Sequence, residues 1–232
     1  MRKVLIFVFG VLVVYSCSKE NTNTMYVNGN IKGLKKGTLY LQKQQDSLII
    51  SVDSIHVSGT EKFVLTDEVS SPEMYFLTLG NGSKKIAFFG EKDTIQISSR
   101  LDKFELKAKI TGSKNQELLD KYLEIKKKFT DQNLDLIKEE FDARKSGVQD
   151  SLDIVTKKLR NLNRRMYLYT TNFAVNNADF EVAPYIALTE LVNANIKLLD
   201  TVNNSLSPEV KNSKYGKQLN EFIEGIKKTE KN

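Results

Sequence analysis

The spacing of apolar residues changes once along this chain, and the change divides the sequence into two structural parts. Up to Gly112 the apolar residues recur in short, often alternating runs that Gly, Asn, Asp and Ser separate. Beyond Asn115 they recur every three or four positions, and Gly becomes rare. A period of two is typical of strands, and a period of about 3.6 is typical of helices. The sequence therefore predicts an α+β chain, with a β-rich domain at residues 25–112 and a helical domain at residues 113–232.

Eight short strands are predicted in the first domain. They are Tyr26–Lys32, Thr38–Gln42, Leu48–Val57, Phe63–Thr66, Met74–Leu79, Ile86–Phe89, Thr94–Ser98 and Phe104–Thr111. Gly80-Asn81-Gly82 predicts a hairpin turn, because Gly and Asn tolerate the positive φ that tight turns need. Since no helical pattern lies between these strands, we expect an antiparallel β-sandwich or an open barrel.

The helical domain begins with two apolar stripes that predict a long antiparallel helical hairpin. One stripe steps by four and three residues through Val148, Leu152, Val155, Leu159, Leu162, Met166, Tyr169 and Phe173. The other includes Leu118, Tyr122, Ile125, Phe129, Leu134, Ile137 and Phe141, with one slip in phase. Lys145-Ser146-Gly147 separates the two. Such stripes bury each other when two helices pair; the alternative is a ligand groove between the helices.

Two more helices are expected to close the chain. One begins near Glu181 or Ala183, with Pro184 in its first turn, and extends through Val202. The last begins at Ser207-Pro208-Glu209, where the Ser207 side chain can cap free backbone amides. Its inner face is expected at Tyr215, Leu219, Phe222 and Ile226. Because only Ser113-Lys114 separates the last strand from the first helix, we expect the two domains to pack as one unit.

The first twenty residues indicate an exported and anchored protein. Met1-Arg2-Lys3 is basic, the run to Tyr15 is apolar, and polar residues follow Cys17. The apolar run is shorter than the roughly 18 residues that a membrane-spanning helix needs. With Val14-Tyr15-Ser16-Cys17 as a lipobox, the segment resembles a lipoprotein signal. The resemblance implies a signal peptide at residues 1–16, a lipid on Cys17 and a tether at residues 17–24.

Cysteine and histidine usage excludes several kinds of site. Cys17 is the only cysteine and His56 the only histidine. With Cys17 lipidated, the two domains have no disulfide, no redox pair and no thiolate metal site. His56 lies in an alternating segment that is typical of a sheet surface, whereas a catalytic triad or a zinc site would require it. We therefore expect no metal, no cofactor and no catalytic set.

An enzyme that uses carboxylates alone is the remaining catalytic hypothesis. The candidates in the predicted β connections are Asp53, Asp67, Glu68, Glu91 and Asp93. Paired carboxylates can act as acid and base when their surroundings separate their pKa values, as in glycan hydrolases. Acids in turns more often cap backbone amides or face water, so this hydrolase is an alternative to the main expectation. The net charge of +6 is mild and does not predict nucleic-acid binding.

Several short motifs occur in an order that resembles a known family. They are Val27–Gly33, Gly37–Leu41, Val52–Ile55, Phe63–Leu65, Ile86–Phe89, Asp93–Ile97, Ile110–Asn115, Ala183–Tyr185, Leu206–Ser213 and Tyr215–Lys217. This arrangement resembles the N-terminal domain of unknown function and the helical segment of Bacteroidetes-type TlpA/ResA-like thioredoxin proteins. That family continues into a thioredoxin domain with a WCxxC pair, whereas this sequence has no Trp and no second Cys. The resemblance implies the accompanying module without its redox activity.

The function expected from these observations is that of a non-catalytic, lipid-anchored envelope protein that binds or scaffolds a protein partner. Its place would be the outer membrane, facing the periplasm or the cell surface. A second hypothesis is an accessory module that works in trans with a separate thioredoxin-like envelope protein.

Replacement of the anchoring residue tests the localisation. Cys17→Ala should release the protein from the membrane fraction or leave the signal uncleaved, because alanine has no thiol to carry the lipid. Cell fractionation, with metabolic labelling by a fatty acid, measures this. A Cys17→Ala protein that stays in the membrane fraction and is still labelled would contradict the anchor.

Overall fold

A computed structural model describes residues 23–229, which form a β-sandwich followed by six helices; the signal, Cys17 and most of the tether lie outside this range. The strands are β1 (Thr24–Lys32), β2 (Lys36–Gln45), β3 (Leu48–Ser58), β4 (Lys62–Glu68), β5 (Glu73–Leu79), β6 (Lys84–Gly90), β7 (Asp93–Arg100) and β8 (Lys109–Thr111). The helices are α1 (Lys114–Ser146), α2 (Gln149–Asn176), α3 (Val182–Glu190), α4 (Ile196–Ser205), α5 (Pro208–Asn212) and α6 (Lys214–Thr229). The predicted α+β class is confirmed.

The sandwich consists of two four-stranded sheets, ordered β4-β1-β7-β8 and β3-β2-β5-β6. Their inner faces enclose a core that includes Val27, Leu41 and Phe88. At one edge the Asp53 carboxylate of β3 accepts a hydrogen bond of 2.8 Å from the Thr66 backbone N–H of β4, which joins the two sheets. At the other edge β6 and β8 do not pair. The sandwich is therefore open on that side.

One strand pairing departs from the antiparallel expectation. β1 pairs with β7 in parallel, from Met25 opposite Asp93 to Lys32 opposite Arg100. Parallel neighbours need a long crossover, and here the second sheet, β2-β3 and β5-β6, lies between them in sequence. The local strand signals carried no information on this pairing, because it joins residues about seventy positions apart.

The last predicted strand is mostly wrong. Only Lys109–Thr111 is a strand, while Leu101–Lys103 is a 3-10 turn and the chain turns again before β8. Alternating apolar residues produced the strand pattern, yet Leu106 is 85% exposed and the Lys107 backbone N–H donates to the Lys103 carbonyl. The Gly80-Asn81-Gly82 turn is confirmed: it joins β5 to β6, with positive φ at Gly80 and Gly82.

The predicted hairpin is formed by α1 and α2. The Ser113 hydroxyl caps α1 by accepting from the Gln116 backbone N–H, and Gly147 ends it with a left-handed φ of 69°. On α2, Val155 and Leu162 are buried, Leu159 is half-buried and Val148 is exposed. The mutual burial of the two stripes is therefore confirmed only in part.

The slip in phase on α1 has a structural consequence. The helix continues without a break, so the step of five residues from Phe129 to Leu134 turns the later stripe away from α2. Leu134, Ile137 and Phe141 are 59%, 47% and 66% exposed. Ala143 is the buried residue of this part of α1 instead.

The third and fourth predicted helices are each divided in two. α3 ends at Glu190, and the Asn195 side chain caps the start of α4 by accepting from the Lys197 backbone N–H. Ser207 caps α5 as predicted, by accepting from the Val210 backbone N–H. A Cβ on Gly216 would lie 2.0 Å from the Val210 carbonyl oxygen, so only glycine permits the tight passage from α5 into α6.

The packing of α2 against α1 can be tested with two leucines, one buried and one exposed. Leu162→Ala should lower the free energy of unfolding by about 2–5 kcal/mol, because Leu162 is only 2% exposed. The control Leu134→Ala should cost less than about 0.5 kcal/mol, since Leu134 faces water. Urea unfolding followed by circular dichroism measures both. An equal loss of unfolding free energy at the two positions would contradict the burial of the α2 stripe against α1.

Candidate functional site

The open side of the sandwich is where the helical domain attaches. Phe89 of β6 packs in one buried cluster with Leu118, Leu119 and Tyr122 of α1, with Val182 and Ile186 of α3 and with Tyr215 of α6. Phe89 makes edge-on ring contacts with Tyr185 and Tyr215, at centroid distances of 5.2 and 6.1 Å. The two domains therefore have a common core, as the short joint between them predicted. We call this attachment the basal joint.

Asn115 is the polar centre of the basal joint. Its side-chain N–H groups donate to the Glu91 carboxylate at 2.8 Å and to the Glu181 carboxylate at 3.3 Å. Its side-chain oxygen accepts from the Val182 backbone N–H at 2.8 Å. One buried amide thus connects the β6–β7 turn, α1 and α3.

Gln116 makes a parallel connection. The Phe89 backbone N–H at the free edge of β6 donates to the Gln116 side-chain oxygen at 2.8 Å. The Gln116 side-chain nitrogen donates to the Asp120 carboxylate at 2.6 Å. Burial raises the pKa of the Asp120 carboxyl, while this hydrogen bond opposes the shift. α1 is therefore fixed to the sheet edge by two consecutive side chains.

A second polar contact fixes α6 against β5. Lys214 forms an ion pair with the Glu73 carboxylate and donates to the Gln44 carbonyl at 2.7 Å. The Tyr215 hydroxyl accepts from the Met74 backbone N–H at 3.0 Å. Burial raises the pKa of the Tyr215 phenol, so this hydroxyl stays neutral.

Lys43 lies beside this contact, between two carboxylates. Its ammonium is 2.5 Å from the Asp67 carboxylate and 3.6 Å from that of Glu73. The Tyr75 hydroxyl donates to Asp67 at 2.7 Å. Burial raises the pKa of Tyr75, and the hydrogen bond to Asp67 raises it further. Every charge in this group has an opposite partner, as in a structural ion-pair network.

The acids named from the sequence occupy different places. Asp53 binds the backbone N–H groups of Thr66 and Ser54, and Asp67 binds Lys43 and Tyr75. Glu91 accepts from the Lys114 backbone N–H and from Asn115 at the start of α1. Glu68 ends β4, and Asp93 begins β7 with a left-handed φ of 81°. His56 lies on β3 with its ring nitrogen 3.2 Å from the Thr38 hydroxyl.

A cleft of about 330 Å³ lies between the free edges of β6 and β8 and the helices α1 and α3. Its walls include Ile86, Ile110 and Leu123 together with the acids Asp120 and Glu190. Glu190 pairs with Lys126 at 2.7 Å, and Asp120 is bound by Gln116. Burial raises the pKa of nearby Tyr122 to about 12, and its hydroxyl lies 3.0 Å from that of Thr170. Asp120 and Glu190 thus already have polar partners, and the third acid in the wall of this cleft, Glu105, is exposed.

The far end of the hairpin differs from its base, because no third element among residues 23–229 covers it. We call residues 130–159 the distal hairpin. The three buried clusters of the described structure include none of these residues. Their side-chain ion pairs, such as Lys158 with Glu139 at 2.7 Å and Arg144 with Glu140 at 2.5 Å, run within or between α1 and α2. The distal hairpin therefore projects from the body of the protein.

Leu134, Ile137 and Phe141 form an exposed apolar stripe along the distal hairpin. Their spacing of three and four residues places them on one side of α1. Val148 and Ile154 are also exposed there. We take this apolar stripe as the candidate binding site. Sequence reasoning assigned the stripe to the buried seam, although the slip in phase was the signal that could have revealed its exposure.

Two kinds of feature are absent from residues 23–229. Within that range, no group of three or more His, Cys, Asp or Glu side chains is arranged to hold a metal ion. None of the helices in this range combines the length and the apolar character needed to cross a bilayer.

Comparison with protein families gives one match. Residues 25–119 match the family described as "Domain of unknown function (DUF4369)". The matched range contains the sandwich except Thr24, together with the first residues of α1, including Asn115 and Gln116, and it ends before the distal hairpin. No curated protein and no solved structure matches the chain.

The basal joint generates a pH-dependent prediction at Glu181. Burial raises the pKa of this carboxyl, while the hydrogen bond from Asn115 opposes the shift. The carboxyl has a pKa of about 4.3 in the unfolded state and a higher pKa in the folded state. The free energy of unfolding of the wild type therefore falls as the pH rises from the first pKa through the second. Glu181→Gln keeps an acceptor for Asn115 but carries no charge, so it should be more stable than wild type at pH 7.

The difference between Glu181→Gln and wild type should shrink as the pH falls below about 4, where the wild-type carboxyl is also neutral. Urea unfolding at pH 7 and at pH 4 measures it, with the exposed Glu221→Gln as the control. A Glu181→Gln variant that is less stable than wild type at pH 7 would contradict the prediction.

Proposed function

We propose that this chain is a non-catalytic, lipid-anchored protein of the cell envelope whose distal hairpin binds a protein partner. The observation that carries the proposal is the apolar stripe of Leu134, Ile137 and Phe141, which faces water on the distal hairpin, where no other element of the described chain packs. Contiguous apolar surface of this kind is typical of interaction sites.

The exposed apolar residues are concentrated at this end of the molecule. Five of the thirteen exposed large apolar side chains in the described chain lie between Leu134 and Ile154. Lys138 and Lys145 lie on the same helix as the stripe and are exposed. An apolar groove bordered by acidic side chains on a partner would complement this surface.

The basal joint supports a scaffolding role because it fixes the direction of the hairpin. Asn115 and Gln116 attach the first turn of α1 to the sandwich, and Lys214 and Tyr215 attach α6. From Phe129 to the end of α1 the helix extends about 25 Å at roughly 1.5 Å per residue. A partner bound to the stripe would be held at a defined distance from the sandwich.

The anchor completes the proposal. Asn23, the first described residue, is six positions after Cys17, and six extended residues reach at most about 20 Å. A lipid on Cys17 would thus keep the first strand close to the membrane. Within this proposal the chain is a relative of the N-terminal part of TlpA/ResA-like proteins.

Site-specific photocrosslinking in intact cells tests the partner-binding surface. A benzoylphenylalanine at Ile137 should give a discrete crosslinked product of higher mass, since that side chain lies within the stripe. The same probe at Asp135, an exposed residue on another side of α1, is the matched control. Adding Leu134→Gln and Phe141→Gln to the Ile137 probe should abolish the product, because both changes remove apolar contact area.

The outcomes separate the hypotheses. Mass spectrometry identifies the trapped protein, and a thioredoxin-like partner would favour the accessory module that works in trans. Two differently tagged copies of the chain in one crosslinked product would show that the stripe binds a second copy of this chain and not a different protein. Equal crosslinking from Ile137 and Asp135, or none from either, would contradict the proposed surface.

A further inference from the structure

The sandwich carries a second surface that the proposed function does not use. A cleft of about 610 Å³ lies over the sheet β4-β1-β7-β8, on the side that faces away from the core. Outward side chains from all four strands line it, alternating with inward residues such as Val27, Leu65 and Ile95. We call this surface the outer sheet face.

Strand register arranges the outer sheet face into two rows. One row across the four strands is Lys62, Asn30, Ser98 and Lys109. The next row is Val64, Asn28, Gln96 and Thr111. Neighbouring strands lie about 4.8 Å apart, so roughly 14 Å separates the backbones of Lys62 and Lys109. The rows themselves are about 7 Å apart.

The polar side chains of these two rows are not engaged in hydrogen bonds with other described residues. In the described part of the chain, none of the seven forms a side-chain hydrogen bond or ion pair with another residue. Asn28 and Asn30 are half-buried on β1, one of the two central strands of this sheet. Most polar side chains around the basal joint are, by contrast, bound to each other. The outer sheet face therefore offers amides and hydroxyls that a ligand could engage without breaking existing bonds.

The charge of the outer sheet face has one sign. Lys62 and Lys109 stand at opposite ends of one row, and none of the described residues that line the cleft carries a carboxylate. Amides offer both donors and acceptors, which match the hydroxyl groups of a sugar. Tyr26 lies one row further along the same face, 47% exposed between Thr66 and Thr94, where its ring is accessible to a sugar. Protein interfaces centre on buried apolar anchors, whereas Val64 is the one apolar side chain in the two described rows, and Phe63 and Ile97 beneath the cleft belong to the core.

We propose that the outer sheet face binds an acidic oligosaccharide. The amides of Asn28, Asn30 and Gln96 bond its hydroxyl groups, and Lys62 and Lys109 pair with acidic groups that are spaced along the chain. The ligand lies across the strands, because the two lysines are at opposite edges of the sheet. This site is separate from the apolar stripe, so either can fail without the other.

Isothermal titration calorimetry on the full chain, purified in detergent, tests the site. The probe is a hexasaccharide of galacturonic acid at low ionic strength. Maltohexaose has a similar length and hydroxyl groups but no charge, hexaglutamate has the charge but no sugar, and sodium phosphate supplies the anion alone. We expect the acidic hexasaccharide to bind at least tenfold more tightly than any of the three.

Two sets of substitutions locate the binding. Lys62→Gln with Lys109→Gln should weaken binding of the acidic hexasaccharide at least tenfold. The control pair Lys128→Gln with Lys217→Gln removes the same charge from exposed helix positions and should leave binding unchanged. Asn30→Ala with Gln96→Ala should also weaken binding at least fivefold while leaving the net charge intact. Thermal unfolding confirms that each variant is folded.

Several results would overturn the proposal. One is the absence of binding at millimolar hexasaccharide, and another is equal binding of maltohexaose. Equal binding of hexaglutamate or phosphate would show that the face recognises charge without a sugar. Unchanged affinity in the lysine pair or in the amide pair would place the ligand elsewhere on the protein.

Discussion

The arrangement of the two domains depends on one buried amide, that of Asn115. It is 2% exposed, and its three hydrogen bonds go to Glu91, Glu181 and the Val182 backbone, which belong to three different segments. Removal of the Asn115 amide would leave the buried Val182 backbone N–H without an acceptor, at a cost of about 1–3 kcal/mol. Because Asn115 lies in the first turn of α1, satisfying it also sets the direction in which the hairpin leaves the sandwich.

The side chains around the basal joint are densely packed and paired, whereas the distal hairpin and the outer sheet face leave apolar and polar groups exposed. Around the basal joint, apolar rings and polar side chains are almost all engaged, and Lys43 and Lys214 are paired with carboxylates. The distal hairpin has exposed apolar surface, and the outer sheet face has unused hydrogen-bonding groups. A rigid centre with two open surfaces suits a module that holds other molecules in place, since binding then costs little ordering of the protein itself.

The sequence by itself determined the features that local interactions control. The change of period at Gly112 located the boundary between strands and helices, and Ser113 and Ser207 capped helices as short-range hydrogen bonding requires. Gly147 ended α1 because a left-handed residue there costs glycine little. Each of these signals acts within about four residues, so it survives whatever the rest of the chain does.

The tertiary structure decided what depends on residues far apart in the sequence. The parallel pairing of β1 with β7 and the bonds of Asn115 join segments that no local pattern connects. The stripe at Leu134, Ile137 and Phe141 has the same helical period as a buried seam, and only the position of α2 shows that it faces water. Periodicity specifies that a face is apolar, but burial is a property of the neighbours that the fold places against that face.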